Sequence, residues 1–230
     1  MASSVESQDL SLRSVDSFGR EVGLPRLLAV LDHHQVTATF LVHPSMATPE
    51  VVEPIASGGH EIGVLCPGPS AGRDADLADV RVALESALER LDQAGAQPSG
   101  HRAVGGTLTW AQIDLLAEYK LRWDSSLMDD DRPYRLQTPH GEIAELPPHG
   151  AVDDRTQFDF LQPEQSINLI RRAGRFRELV CGEIAAQQRY GGCVTLTVNP
   201  RRSGRAARAA AFGAILSYAR GGRGVDRPAG

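Results

Sequence analysis

The amino-acid sequence predicts an α/β protein built on parallel strands. Short apolar runs rich in β-branched residues alternate along the chain with segments of helical periodicity. This alternation is typical of parallel strands joined by crossover helices. Either a (β/α) barrel or a doubly wound sheet would satisfy the pattern. The 230 residues suit one domain, and the 41% of hydrophobic residues are enough for a sizeable core.

Local signals place the individual elements. Pro25 suits the first turn of a helix, where its missing N–H has no partner to lose. Thr109 and Gln112 have the spacing of a capping box and predict a helix start. The predicted strands are 36–42, 60–65, 101–104, 121–124, 143–147 and 194–198. The predicted helices are 24–34, about 48–58, about 74–93, 109–119, 163–188 with a break at Gly174, and 206–219.

Composition excludes several classes of protein. The formal charge of −5 argues against a nucleic-acid or anionic-membrane partner. Three cysteines without a CxxC pair indicate neither a disulfide framework nor a zinc knuckle, and they favour a reducing, cytoplasmic setting. The first eight residues lack the basic and apolar regions of a signal peptide. No apolar run approaches the ~18 residues that a membrane span needs.

Five short motifs occur in order: ATFLV at 38–42, GHEIG at 59–63, GHR at 100–102, WDSSLM at 123–128, and LTVNP at 196–200 with Gly204-Arg205 after it. Together they resemble the polysaccharide deacetylase (NodB-homology) family, also called carbohydrate esterase family 4. The segment 124–134 is most similar to its peptidoglycan-deacetylase and allantoinase-like branch. The resemblance implies a distorted (β/α) barrel over 18–220, with incomplete first and last strands. A polar N-terminal tail, 1–17, and a flexible tail, 221–230, would flank it.

The resemblance also implies metal-assisted hydrolysis of a C–N bond in N-acetyl sugars or related amides. In the family one Asp and two His hold a divalent metal, usually zinc, a second Asp is the base and a late His is the acid. Here Leu65 and Pro69 stand at the two His positions, and Asn199 stands at the acid position. Near the expected acidic pair the chain offers only Glu6 and Asp9. We therefore expect no metal and no other cofactor, and no catalytic residue can be assigned.

Four polar residues remain as candidates for binding a ligand: Arg102, Asp124, Asn199 and His101. Arg102 is expected either to bind an anion or to pair with Asp124, and both are expected at one mouth of the barrel with Asn199. His101 is expected to be half-exposed. Cys66 is a lone thiol, and one ligand does not make a metal site.

Two hypotheses for function follow. In the first, the protein is a degenerate deacetylase-like member that binds a small polar or sugar-like ligand without turnover. In the second, it is an active, metal-independent amidohydrolase or deacetylase of a small-molecule pathway. A start site further upstream could restore the first strand but not the missing His residues. A missing first strand would leave an unpaired edge near 38–42, so a homo-oligomer is also expected.

Overall fold

The computed structural model describes residues 10–67, 76–106, 108–158 and 171–221. Over these residues the chain forms two compact units. The helical unit combines the described parts of Met1–Val36, Gly150–Ala185 and Leu196–Gly230. The sheet unit combines those of Thr37–His149 and Ala186–Thr195. Each unit is described by itself below.

The sheet unit contains a six-stranded, mostly parallel sheet. Its strands are β1 Thr39–Val42, β2 Glu61–Pro67, β3 Gly100–Val104, β4 Trp123–Asp124, β5 Tyr134–Thr138 and β6 Gly141–Glu145. The order is β1-β2-β3-β4-β6-β5, and every neighbouring pair is parallel except the β5–β6 hairpin. The predicted α/β class with parallel strands is confirmed. The described strands form an open sheet with edges at β1 and β5, and not a closed barrel.

Nine helices are present in the described residues. They are α1 Leu10–Phe18, α2 Leu24–His33, α3 Pro49–Ser57, α4 Leu77–Gln93, α5 Trp110–Glu118, α6 Asp154–Phe158, α7 Ala173–Tyr190, α8 Pro200–Ser203 and α9 Ala206–Ala219. The capping box that starts α5 is present as predicted. Thr109 Oγ1 accepts from the Gln112 N–H at 3.3 Å, and Gln112 Oε1 accepts from the Thr109 N–H at 2.7 Å.

The N-terminal helix begins earlier than the sequence suggests. A π-helical segment, Gly19–Gly23, joins α1 to α2 without a break, so the predicted start at Leu24 lies inside a continuous helical stretch. Residues 10–17, placed in a polar tail by sequence, are helical, and residues 1–9 lie outside the described residues. The π segment packs closely on α8, since a Cβ on Gly23 would lie 2.2 Å from the Pro200 carbonyl oxygen.

Two strand predictions need correction. The predicted strand 194–198 forms only an isolated parallel bridge between Asp153 and Thr197. The partner segment has no room for a longer ladder because α6 begins at Asp154, immediately after the bridge. Strand β5 was missed, although Tyr134, Leu136 and Thr138 alternate along it and a hairpin connects it to β6. Of the predicted helix 163–188, residues 163–170 lie outside the described residues, residues 171–172 are not helical, and α7 begins at Ala173, next to the break predicted at Gly174.

The two faces of the sheet differ in burial. Neighbouring residues along a strand point to opposite faces, and partners in register point to the same face. One face carries Val42, Val64 and Ile143, which are all buried. The other carries the Trp123 indole. A Cβ on Gly100 would lie 2.1 Å from Trp123 Cδ2, and one on Gly63 would lie 3.0 Å from Trp123 Cη2. Glycines on β2 and β3 thus make room for the indole.

This packing predicts that Gly100→Ala destabilises the protein. The added methyl group overlaps the indole of Trp123, and such overpacking costs about 1–3 kcal/mol. Urea unfolding monitored by tryptophan fluorescence measures the change. The control is Gly182→Ala in α7, where a Cβ meets nothing within 4 Å. That change should leave stability unchanged or raise it by about 0.5–1 kcal/mol. Equal stabilities for the two variants would contradict the packing.

Candidate functional site

Three ionisable side chains lie side by side across three parallel strands. In register, His101 on β3 is the partner of Asp124 on β4, and Asp124 is the partner of Glu145 on β6. Partners in register share a face, so all three point to the buried face of the sheet. His101 is 5% exposed, while Asp124 and Glu145 are 0% exposed. We call these three residues the buried polar row.

The carboxylate of Asp124 is bound by two donors. His101 Nδ1 donates to Asp124 Oδ1 at 2.6 Å. Ser126 Oγ accepts from the Ala103 N–H at 2.9 Å, and its hydroxyl donates to the same Asp124 oxygen at 3.1 Å. Burial of a charged carboxylate is tolerated when such donors are present. The prediction that His101 is half-exposed is wrong, because its place in register with Asp124 puts it on the buried face.

The carboxyl group of Glu145 holds the turn that follows β4. Its Oε1 atom accepts from the Ser126 N–H at 2.8 Å and from the Leu127 N–H at 2.9 Å. Burial, and then the negative charge of Asp124, raise the pKa of Glu145 to about 8. Glu145 is therefore mostly protonated at neutral pH. The sequence reasoning missed it; its signal was a lone carboxylate among the apolar residues of a predicted strand.

Arg102 lies on the opposite face from Asp124. Its Nε donates to the Ser125 carbonyl oxygen and its Nη2 donates to Ser125 Oγ, each at 2.7 Å. The Ser125 hydroxyl in turn donates to the Leu146 carbonyl oxygen at 2.5 Å. The expected pairing of Arg102 with Asp124 is therefore wrong. Asp124 is in register with His101, and the next residue along β3 must point the other way.

Asn199 belongs to the helical unit, where it begins α8. Its Oδ1 accepts from the Arg201 N–H at 2.9 Å, which caps the helix. Its own N–H donates to Asp154 Oδ2 at 2.7 Å, and Ser203 Oγ donates to the same oxygen at 2.6 Å. Burial raises the pKa of Asp154 to about 6. Sequence reasoning missed Asp154, because nothing before the tertiary structure links it to Asn199.

The described residues do not fit a catalytic zinc ion. Leu65 has a hydrocarbon side chain, and Asn199 Oδ1 is already engaged in the helix cap. Burial raises the pKa of the Cys66 thiol to about 11, which disfavours the thiolate at neutral pH, and one ligand does not make a zinc site. No group of three His, Cys, Asp or Glu side chains suited to a metal ion occurs in the described residues. Pro69, Glu6 and Asp9 lie outside them.

Comparison with solved structures identifies the family. No sequence profile of a known family and no curated protein matches the chain. A Mycobacterium smegmatis protein assigned as a polysaccharide deacetylase is 36% identical, with a TM-score of 0.85. The match covers 90% of this chain and 74% of that protein. The chain belongs to the polysaccharide deacetylase (NodB-homology) family. The resemblance drawn from the five motifs is thereby confirmed.

Two more distant structures share the fold of this deacetylase-family chain. The allantoinase PuuE is 20% identical with a TM-score of 0.78, over 93% of this chain and 71% of that one. A Bacillus anthracis protein described as a carbohydrate esterase family 4 pseudoenzyme is 13% identical with a TM-score of 0.58. That match covers 89% of this chain and 58% of the other. At these identities the likeness concerns the fold alone.

Over the described ranges, this family member has no helix that is long and apolar enough to cross a membrane. This agrees with the short apolar runs of its sequence.

The buried polar row predicts that His101→Ala is strongly destabilising. The change leaves the buried carboxylate of Asp124 without its closest donor, and an uncompensated buried charge costs about 3–5 kcal/mol. The control is His140→Ala. His140 also contacts a carboxylate, Asp114 Oδ2 at 2.9 Å, but its side chain is 52% exposed. An exposed pair contributes about 0–1 kcal/mol. Chemical denaturation at neutral pH measures both changes, and a loss of under 1 kcal/mol for His101→Ala would refute the role of the row.

Proposed function

We propose that this deacetylase-family protein binds a polar, sugar-like ligand without hydrolysing it. The observation that carries the proposal is Leu65, which stands where the family pattern calls for a metal-binding His. Leu65 is the register partner of Arg102, so it occupies the face that carries the arginine. A hydrocarbon side chain there can contact a ligand but cannot ligate a metal or activate a water.

The position of the catalytic acid supports the same proposal. A carboxamide such as Asn199 donates and accepts hydrogen bonds but does not transfer a proton as a general acid. In the helical unit, the side-chain oxygen of Asn199 caps α8 and stabilises the start of that helix. The positions that matter for metal binding and for proton transfer have therefore both changed chemistry.

The face that carries Arg102 retains groups suited to recognition. Ser125 accepts two hydrogen bonds from the guanidinium, which fix the orientation of the guanidinium plane on this face. Trp123 lies on the same face, because it is the partner of Gly100 and Arg102 is two residues further along β3. An apolar indole and a fixed arginine on one face suit the mixed apolar and polar surface of a sugar ring. The buried His101 and Asp124 would support this face from behind.

Two further points fit the proposal. The Bacillus anthracis relative is described as a pseudoenzyme, and a mutant of it as having restored enzymatic activity. Loss of turnover is thus compatible with the fold. We also assign the protein to the cytoplasm, because Cys66, Cys181 and Cys193 are unpaired, which is the state that a reducing compartment favours.

The proposal predicts binding without turnover. Short N-acetylglucosamine oligomers should bind in isothermal titration calorimetry, while no acetate is released and no equivalent of zinc remains after mild dialysis. Arg102→Ala should weaken binding by about tenfold or more, which corresponds to about 1.4 kcal/mol. Arg135→Ala is the matched control, because Arg135 is exposed on β5 and pairs with the neighbouring Glu142.

Three results would count against the proposal. One equivalent of tightly bound zinc would contradict the reading of Leu65 and Asn199. Acetate release by the wild type would show that the protein is an active deacetylase. Equal affinities for the Arg102→Ala and Arg135→Ala variants would remove Arg102 from the binding face.

A further inference from the structure

The buried polar row contains two oxygens without a donor. Asp124 Oδ2 and Glu145 Oε2 are buried, and neither has a hydrogen-bond partner within the described part of the chain. The other oxygen of each carboxyl group accepts two hydrogen bonds. Since Asp124 and Glu145 are register partners on adjacent strands, their free oxygens belong to neighbouring side chains on one face. Two buried carboxylates so placed cannot both carry a charge at neutral pH.

A single proton between the two carboxyl groups satisfies both oxygens. The donors decide which group carries it. Asp124 Oδ1 receives an imidazole N–H at 2.6 Å and a hydroxyl, which suits an ionised carboxylate. Glu145 Oε1 receives only backbone N–H groups, and its Oε2 can hold the proton and donate it to Asp124 Oδ2.

We propose that Asp124 and Glu145 share one proton, and that this acid pair positions Arg102 by fixing the turn 125–127. The positioning role rests on the function proposed above, whereas the shared proton does not. Glu145 fixes Ser126 and Leu127 through their N–H groups, and Ser125, the residue before them, holds Arg102. Glu145 never touches the ligand in this arrangement and is a positioning residue.

Other charged and titratable groups lie on the elements around Glu145, and most of them have partners of their own. Tyr134 on β5 is its register partner, and burial, followed by the charges of Glu145 and Asp129, raises the pKa of that phenol to about 12. His101 lies beyond Asp124 on β3. Helix α5 packs against β6 and carries Asp114 and Glu118, which are bound to His140 and Arg81. The Tyr134 hydroxyl keeps its own proton at neutral pH, so Asp124 is the neighbouring group with which Glu145 can share one.

The pH dependence follows from the raised pKa. Glu145 has an ordinary value of 4.5 and a value of about 8 in the folded protein. The folded chain therefore holds a proton that the unfolded chain releases between these values. The stability that this proton supplies is fully present below pH 4.5 and is lost as the pH rises to about 8. Across that window the folding equilibrium constant falls by up to about tenfold for each pH unit.

Infrared spectroscopy of the intact protein tests the shared proton without any variant. We expect the C=O stretch of a protonated carboxyl group at neutral pH, which disappears as the pH is raised through about 8. Glu145→Gln should lack the band, because its amide can donate to Asp124 Oδ2 and accept from Ser126 and Leu127 in place of the acid. Glu142→Gln removes an exposed carboxylate from the same strand and should keep the band. No protonated band in the wild type, or a band that persists in Glu145→Gln, would overturn the shared proton.

A pH profile of binding tests the positioning role. Wild-type affinity for an N-acetylglucosamine oligomer should fall several-fold or more above pH 8, while Glu145→Gln keeps its affinity throughout. Should Glu145→Gln fail to fold, Asp124→Asn serves as the second variant. Removal of the neighbouring charge should shift both the infrared titration and the loss of affinity to lower pH.

The outcomes separate the two proposals. A binding profile that is the same in wild type and Glu145→Gln would overturn the positioning role. No binding by the wild type at any pH would overturn the proposed function, and the positioning role with it. The infrared titration decides the shared proton in either case.

Discussion

The buried carboxylate of Asp124 constrains the neighbouring strands β3 and β6 and the turn after β4. A desolvated negative charge is costly unless donors surround it. Those donors come from β3, through His101, and from the turn after β4, through Ser126. Burial, and then this negative charge, raise the pKa of Glu145 on β6. Asp124 thus lies between neighbours on β3 and β6, and the turn 125–127 contributes hydrogen bonds to both carboxyl groups.

The register of the strands divides this region into two kinds of surface. His101 and Asp124 share the buried face, while Arg102 and Trp123 share the more exposed one. Residues adjacent in sequence, such as His101 and Arg102, therefore contact different surroundings. The turn after β4 connects the two faces, since Ser126 faces the buried row and Ser125 holds the arginine. None of these hydrogen bonds involves a metal, so the framework holds without one.

Asn199 and Leu65, which differ from the motif pattern that the sequence resembles, have structural contacts. Asn199 caps α8 and its N–H binds the buried Asp154, which also receives the hydroxyl of Ser203. Leu65 fills its place in β2 beside Arg102. Such contacts stabilise the local fold independently of turnover.

The sequence by itself determined the class of fold, the family and the departure of Leu65 and Asn199 from its pattern. It could do so because periodicity, helix caps and short motifs are local and are written in consecutive residues. The pairings of the site were decided by the tertiary structure. Which of His101 and Arg102 meets Asp124 depends on a one-residue register, and a shift of one residue exchanges the faces of a strand. The roles of Glu145 and Asp154 depend on strands and helices distant in sequence, whose approach no local pattern records.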